Sequence, residues 1–348
     1  MEERNDCIRF LKNHNIKYKK YDVNDEYVEG HNPKAFLRID DSNDEKKSDE
    51  SSRTMQDSKL FRHLFDEVKN NPNTSLCTYL NDVIKNGDYP RYVSCMAKNG
   101  AEESARWKGV PQTADNGSNA SEIIGSRIAE MLGVPTQYSV PVMADDGTVG
   151  TVLSVDFVSY GEEFDDILSM NQDESYAEMH DSTKKWVKAI RSALMSQYPD
   201  GIDRESLERL EKVDLPKLLL FRKGGLFADD DFNTYNIGIL MKGDKFRLAP
   251  SFDMECLLGR LAMSPEYYSP NKGIMKDVVS YYGENSPEVL GDFIDKVKEH
   301  ISDGSMARVI KEYYPNKRIA KNIVSNLETN AEMLTMLALK YTYPVKDR

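Results

Sequence analysis

Asp231, Asn236 and Asp253 are oxygen-bearing side chains spaced so that a folded chain could bring them together on one hard cation. The stretch that carries them runs ADDDFNTYNIGILMKGDKFRLAPSFD from Ala228 to Asp253. Its pattern predicts a β-hairpin: an apolar run from Ile237 to Met241, a turn at Lys242-Gly243-Asp244, and a returning strand from Lys245 to Ala249. Pairing about that turn sets Asn236, at the start of the first strand, near the end of the second. Asp253 then lies close to it, with Asp231 one short loop upstream. Such a set suits Mg2+ on a nucleotide, because Mg2+ takes oxygen ligands, keeps some waters and shares its other positions with phosphates. Two other readings compete. Asp229-Asp230-Asp231 fits a solvated acidic turn as well. A calcium loop fits poorly, since Thr234 stands where an EF-hand needs Gly and Leu240 where it needs a bidentate Glu.

The order Asp231-x-x-x-x-Asn236, apolar strand, turn, second strand and Leu248-Ala249-Pro250-Ser251-Phe252-Asp253 resembles the catalytic loop and metal-binding Asp of HipA-type serine/threonine kinases. These are relatives of the protein-kinase fold. Carried over by position, the resemblance implies that Asp231 is the catalytic base, Asn236 a Mg2+ ligand and Asp253 the counterpart of the kinase DFG aspartate. It implies ATP and Mg2+ as cofactors and a Ser or Thr of a protein, its own chain included, as acceptor. An antitoxin-like partner protein is implied as well. Many members have His two residues after the catalytic Asp, and this chain has Asn233 there, which bears on how the substrate is oriented.

The elements upstream must supply the nucleotide end. Candidate strands at Arg91 to Ala97 and Ala105 to Val110 flank the loop Lys98-Asn99-Gly100 and precede a predicted helix from Ser121 to Leu132. In the resemblance, Lys108 is the strand lysine that holds the α and β phosphates, and Glu122 on the following helix is its ion-pair partner. Each has a plain alternative. Lys108 also fits an exposed strand lysine, and Glu122 stands three residues after Asn119, the spacing of a capping box. There is no GxGxxG, so phosphate contact would fall to backbone N–H groups of another turn, with Ser94, Lys98 and Gly100 as candidates. Gly133-Val134-Pro135 ends the helix. Val140 to Met143 and Thr148 to Phe157 read as two antiparallel strands around Asp145-Asp146-Gly147. Val155-Asp156-Phe157 would then be the hinge that meets adenine, with Asp156 and Phe157 as its candidates; an ordinary strand end is the alternative.

From Ser182 the pattern is helical. Trp186, Val187, Ile190 and Leu194 form one stripe, and Leu215-Pro216 opens a second helix whose expected run is interrupted by Gly224-Gly225. Residues from Asp253 to about Asn271 correspond to an activation segment or to an ordered loop. Ser286-Pro287-Glu288 starts another helix, and a long one covers Ile319 to Leu339 with Ile323, Leu327, Leu334 and Leu337 on its core face. At the other end, Ile16 to Val23 reads as a strand and 38–53 as a mobile charged linker, centred on 40–53. Amphipathic helices are expected behind Asp57 or Ser58 and over Ser75 to Lys85.

A net charge of −12 and a pI near 5.1 argue against broad electrostatic binding to nucleic acid. No apolar run is long enough to span a bilayer and no secretory h-region leads the chain, so a soluble, cytoplasmic protein is expected. The 4 cysteines are far apart and form no CxxC, which argues against a disulfide framework or zinc site. The expected fold is α+β: a bilobal protein-kinase-like arrangement with an N-terminal extension at 1–88, a small antiparallel β lobe at 89–160 and a helical lobe at 161–348. The resemblance covers about 90 to 310. Rival functions are a small-molecule kinase, which would use the same ATP end, and a catalytically inactive kinase fold that serves as a binding or toxin-regulatory module.

Overall fold

The structure, a computed structural model, describes residues 17–20, 34–40, 93–98, 117–143, 147–155, 157, 162–170, 182–198, 201–227, 229 and 232–342, the first three segments by their backbone. The chain divides into two compact units, one of residues 1–123 with 137–159 and one of 124–136 with 160–348. The fold is α+β. No helix among the described residues is long and apolar enough to cross a membrane.

The first unit holds strands β1 (Lys17–Lys20), β2 (Lys34–Asp40), β3 (Val93–Lys98), β4 (Ser139–Met143) and β5 (Val149–Val155), ordered β1-β2-β3-β5-β4. Every pairing in it is antiparallel, as expected for β4 and β5. Two readings change here. Arg38 to Asp40 are not linker but the end of β2, where Arg38 pairs with Lys19 on one side and Ser94 on the other; a ladder is made by backbone groups, so charged side chains do not prevent it. Lys98 closes β3 opposite Val152 instead of lying in a loop. The strand expected at Ala105 to Val110, the helices expected before residue 88 and the charged stretch from 41 to 53 lie outside the described residues.

Helix α1 (Gly117–Met131) begins four residues before its expected start at Ser121. Asn119 therefore sits inside the helix, and its Nδ2 donates to the Val149 carbonyl at 3.3 Å. The capping box with Glu122 is thereby set aside, because a cap residue must precede the helix. The residues of α1 from Ile124 belong to the second unit, where a Cβ on Gly125 would stand 2.7 Å from Leu257 Cδ2 and 3.1 Å from Met254 Sδ.

The second unit adds β6 (Glu163–Asp166), α2 (Ile167–Met170), α3 (Thr183–Gln197), α4 (Arg204–Arg209), α5 (Leu215–Phe221), β7 (Gly238–Lys242), β8 (Lys245–Leu248), α6 (Lys272–Asn285), α7 (Pro287–Ser302), α8 (Ser305–Tyr313) and α9 (Lys317–Thr342). On α3, Trp186, Val187, Ile190 and Leu194 are all buried as the stripe predicts. The Thr183 N–H of α3 is satisfied by Asp277 of α6 at 2.6 Å. Leu215-Pro216 opens α5 as expected, with Pro216 in its first turn. A π-helical turn at Leu210–Asp214 joins α4 to α5, and the Leu215 N–H reaches back to the Leu210 carbonyl. The widened turn falls where Pro216 can donate no hydrogen bond.

Gly224-Gly225 interrupts the helix because the chain must double back there. The Leu226 N–H bonds the Leu220 carbonyl at 2.8 Å and the Phe227 N–H the Phe221 carbonyl at 2.9 Å, and a Cβ on Gly225 would overlap the Leu220 oxygen. In α7, Leu290, Phe293, Ile294 and Val297 are buried, but Ser286 stands at the N-cap without a side-chain cap bond. Helix α9 packs on α6, α7 and α8. Ile323, Leu327 and Leu334 are buried as expected, while Ala338 takes the core position expected of Leu337.

Candidate functional site

The hairpin forms with the expected turn. Strands β7 and β8 pair from Ile239↔Leu248 to Lys242↔Lys245, and Gly243 between them has φ +63, a conformation that favours Gly. The Ala249 N–H continues the ladder to the Gly238 carbonyl at 2.8 Å. Beyond the ladder, Ser251 forms a parallel bridge with Thr136, and Asp253 follows two residues later. Strand β6 was not legible in the sequence, yet it pairs with the other edge of β7 from Glu163↔Met241 to Asp166↔Gly238. Gly238 admits this approach, since a Cβ there would collide with the Phe164 ring, which itself meets Phe252 edge-on at 5.7 Å.

Asn233, the departure from the family pattern, has a structural task. Its side-chain oxygen accepts from the Tyr235 N–H at 2.9 Å and caps the single 3-10 turn Thr234–Asn236. That turn delivers Asn236, buried, to the start of the hairpin. Asp253 is half-buried and has φ +57, the one positive φ of a non-glycine among the described residues. Asp and Asn tolerate this left-handed region better than other residues with a Cβ, but not without cost.

Arg222, just beyond the end of α5, ties these pieces together. Its side chain and that of Asp229 are each 0% exposed and form an ion pair at 2.7 Å. Nε donates to Asp229 Oδ2 at 2.8 Å, Nη1 to the Phe252 carbonyl at 2.7 Å and to Ser251 Oγ at 3.4 Å, and Nη2 to the Asp253 carbonyl at 2.9 Å. The guanidinium also lies 4.7 Å over the ring of Phe232, which stacks on Trp186. Asp229 is therefore no part of a solvated acidic turn: its carboxylate is committed to Arg222. Ser251 is held from its other side as well, its N–H donating to the Pro135 carbonyl at 2.8 Å and its carbonyl accepting from Thr136 Oγ1 at 3.3 Å.

The segment after Asp253 is an ordered loop fastened to one face of α9. Asn326 Nδ2 donates to the carbonyls of Leu261 and Met263, both at 2.9 Å, and Asn322 Nδ2 to that of Ala262 at 3.4 Å. Asn330 donates to the Leu226 carbonyl at 2.9 Å and accepts from the Tyr268 hydroxyl at 2.7 Å, so it joins the approach to the hairpin and the segment that leaves it. Nothing in the spacing of Asn322, Asn326 and Asn330 distinguishes this role from a solvated helix face.

Of the residues singled out in the sequence, Asn236 and Asp253 lie in the second unit, one just before β7 and the other after β8. Their oxygens are the hard donors that Mg2+ takes. Glu122 is buried in α1 and belongs to the first unit, as does Phe157, which is partly exposed two residues beyond β5. Asp231, Lys108 and Asp156 lie outside the described residues. Among the described residues no group of three His, Cys, Asp or Glu side chains is placed to hold a metal ion.

No protein-family model and no curated protein matches the chain. Among the solved structures similar to it are two kinase-related ones. One is a Helicobacter pylori proinflammatory kinase, CtkA, at a TM-score of 0.48 and 16% identity, over 75% of this chain and 90% of that one. The other is the complex of HipA, HipB and operator DNA from the Shewanella oneidensis MR-1 toxin–antitoxin system, at a TM-score of 0.40 and 13% identity, over 71% of this chain and 58% of that one.

Proposed function

We propose that this chain is an ATP- and Mg2+-dependent phosphotransferase of the HipA type, with a small β lobe at 89–160, a helical lobe at 161–348 and an N-terminal extension at 1–88. The observation that supports the reading is Asp253, which follows the hairpin in a left-handed conformation with its carbonyl held by a buried arginine. A conformational outlier held by its surroundings is the kind of feature found at working sites. In this reading Asn236 and Asp253 hold Mg2+, which when bound supplies charge neutralisation at the β and γ phosphoryl groups. Asp231 orients the acceptor hydroxyl and takes its proton. Lys108 places the phosphates and Glu122 orients Lys108. The backbone at Asp156 and Phe157 meets adenine. The acceptor is a Ser or Thr of a protein, the chain itself included, and the setting is a cytoplasmic one with an antitoxin-like partner.

Two measurements test this. Titration calorimetry with ATP, in Mg2+ and in EDTA, is expected to give binding that strengthens with the metal. Mass spectrometry after incubation with ATP and Mg2+ is expected to find phosphate on Ser or Thr of this chain or of added protein. Absence of nucleotide binding in both buffers overturns the assignment. Metal-dependent binding with no transfer to any protein, but transfer to a metabolite pool, makes the enzyme a small-molecule kinase instead.

A further inference from the structure

We propose that Arg222 is the positioning residue for Asp253, setting the conformation from which that carboxylate reaches its metal; the proposal rests on the functional reading above. The argument is geometric. The Phe252 carbonyl belongs to the peptide plane before the Asp253 Cα, and the Asp253 carbonyl to the plane after it. Arg222 donates to both, at 2.7 and 2.9 Å. One rigid guanidinium thus fixes the two planes whose rotation defines φ and ψ of Asp253, the residue at φ +57.

The guanidinium is itself immobile. Nε and Nη2 both meet the buried carboxylate of Asp229, and neither charge can be released into the interior without its partner. Asp229 lies two residues before Asp231 in the sequence. A lysine at this position keeps the charge but loses the planar fork: its ammonium cannot bond a carboxylate and two carbonyls in the arrangement that Arg222 makes.

The test uses the full chain as wild type, Arg222→Lys and Asp229→Asn. Each is titrated with Mg2+ at fixed ATP while nucleotide binding is read by calorimetry, and with ATP in EDTA. Residues that orient a metal ligand typically change metal affinity by about 10- to 100-fold. Arg222→Lys is therefore expected to raise the Mg2+ concentration for half-saturation by at least about tenfold, with binding in EDTA unchanged. Asp229→Asn, which loosens the anchor but keeps the fork, is expected to fall between it and wild type. A purely structural arginine would lower the melting temperature and leave the Mg2+ requirement of the folded protein alone, and that result overturns the proposal. Should Arg222→Lys fail to fold, Asp229→Asn decides: a wild-type Mg2+ requirement refutes the positioning role. If wild type binds no nucleotide, the functional reading falls. Hydrogen exchange at 252–258 then judges the geometry, and equal protection in wild type and Asp229→Asn sinks it.

Discussion

Asn326→Leu removes a side chain of similar size that is 1% exposed and whose amide donates to two carbonyls, Leu261 and Met263, both at 2.9 Å. Leucine fills the space but donates nothing. A buried acceptor stripped of its partner costs about 1–3 kcal/mol, against about 0.5–1.5 kcal/mol for the net value of the bond itself. Leu261 is wholly buried, so its carbonyl is assigned the upper part of that range; Met263 is 37% exposed, so water can replace part of what its carbonyl loses. The expected loss is about 2–4 kcal/mol, large against a domain stability of about 5–15 kcal/mol but not enough to unfold the chain. Asn322→Ala is the internal control. Its single bond, at 3.4 Å, is long, and its loss is expected to cost under about 1 kcal/mol. Urea denaturation followed by fluorescence reads both as midpoint shifts. Hydrogen exchange should place the excess opening of Asn326→Leu at 259–268. If Asn326→Leu costs no more than Asn322→Ala, the asparagine face of α9 does not hold this segment and the reasoning fails.

Three further outcomes follow from the same geometry. Asp231→Asn should leave ATP affinity nearly intact while phosphotransfer falls by about 10²- to 10⁴-fold, whereas Asp253→Asn should weaken Mg2+-dependent ATP binding as well; calorimetry beside a transfer assay separates them, and wild-type behaviour of either removes it from the site. Gly225→Ala places a methyl on the Leu220 oxygen and strains the two bonds that turn the chain after α5, so a loss of about 3 kcal/mol is expected in urea unfolding, and a neutral substitution would contradict the turn. Asp214 is buried, and desolvation holds its acid above the usual range although Arg209, Lys217 and Arg247 pull the other way. A raised folded value means that its contribution favours folding at acid pH, below the unfolded value, and is lost as pH rises through the folded one. Asp214→Asn should therefore flatten the fall in stability from about pH 4 upward, and urea midpoints across pH that parallel wild type would show the burial to be harmless.

The hairpin was legible because its strands, turn glycine and flanking polar residues all point to one local solution. Most of what could not be read depends on partners that adjacent sequence does not name, distant backbone above all. Strand β6 reads EFDD, with no alternation that marks a strand, and exists because β7 offers it an edge. Arg222 looks like a cation at a helix C-terminus, where it would meet the dipole. The reversal at Gly224-Gly225 and the return of Asp229 turn it inward. Asn322, Asn326 and Asn330 recur every four residues, which in a sequence describes a polar face of any kind. Only the carbonyls of 261–263 and 226 decide that it is an interior one.

Asp253 stands between two segments held by different means, and this explains how its strain persists. Before it, Ser251 is fixed from Pro135 and Thr136 on one side and from Arg222 on the other, by hydrogen bonds. After it, Met254, Leu257, Leu258 and Leu261 are buried, and α1 comes close enough at Gly125 that no Cβ fits without displacing Leu257. Neither side can yield to relieve a left-handed residue between them. A backbone so constrained stores a cost of order 1–3 kcal/mol only where its neighbours over-determine it. Glycine would meet the conformational need with no strain, but it would carry no carboxylate. Alanine would bring the strain without the ligand. Aspartate tolerates the conformation better than most residues with a Cβ, and in the proposed function it also supplies a hard oxygen donor.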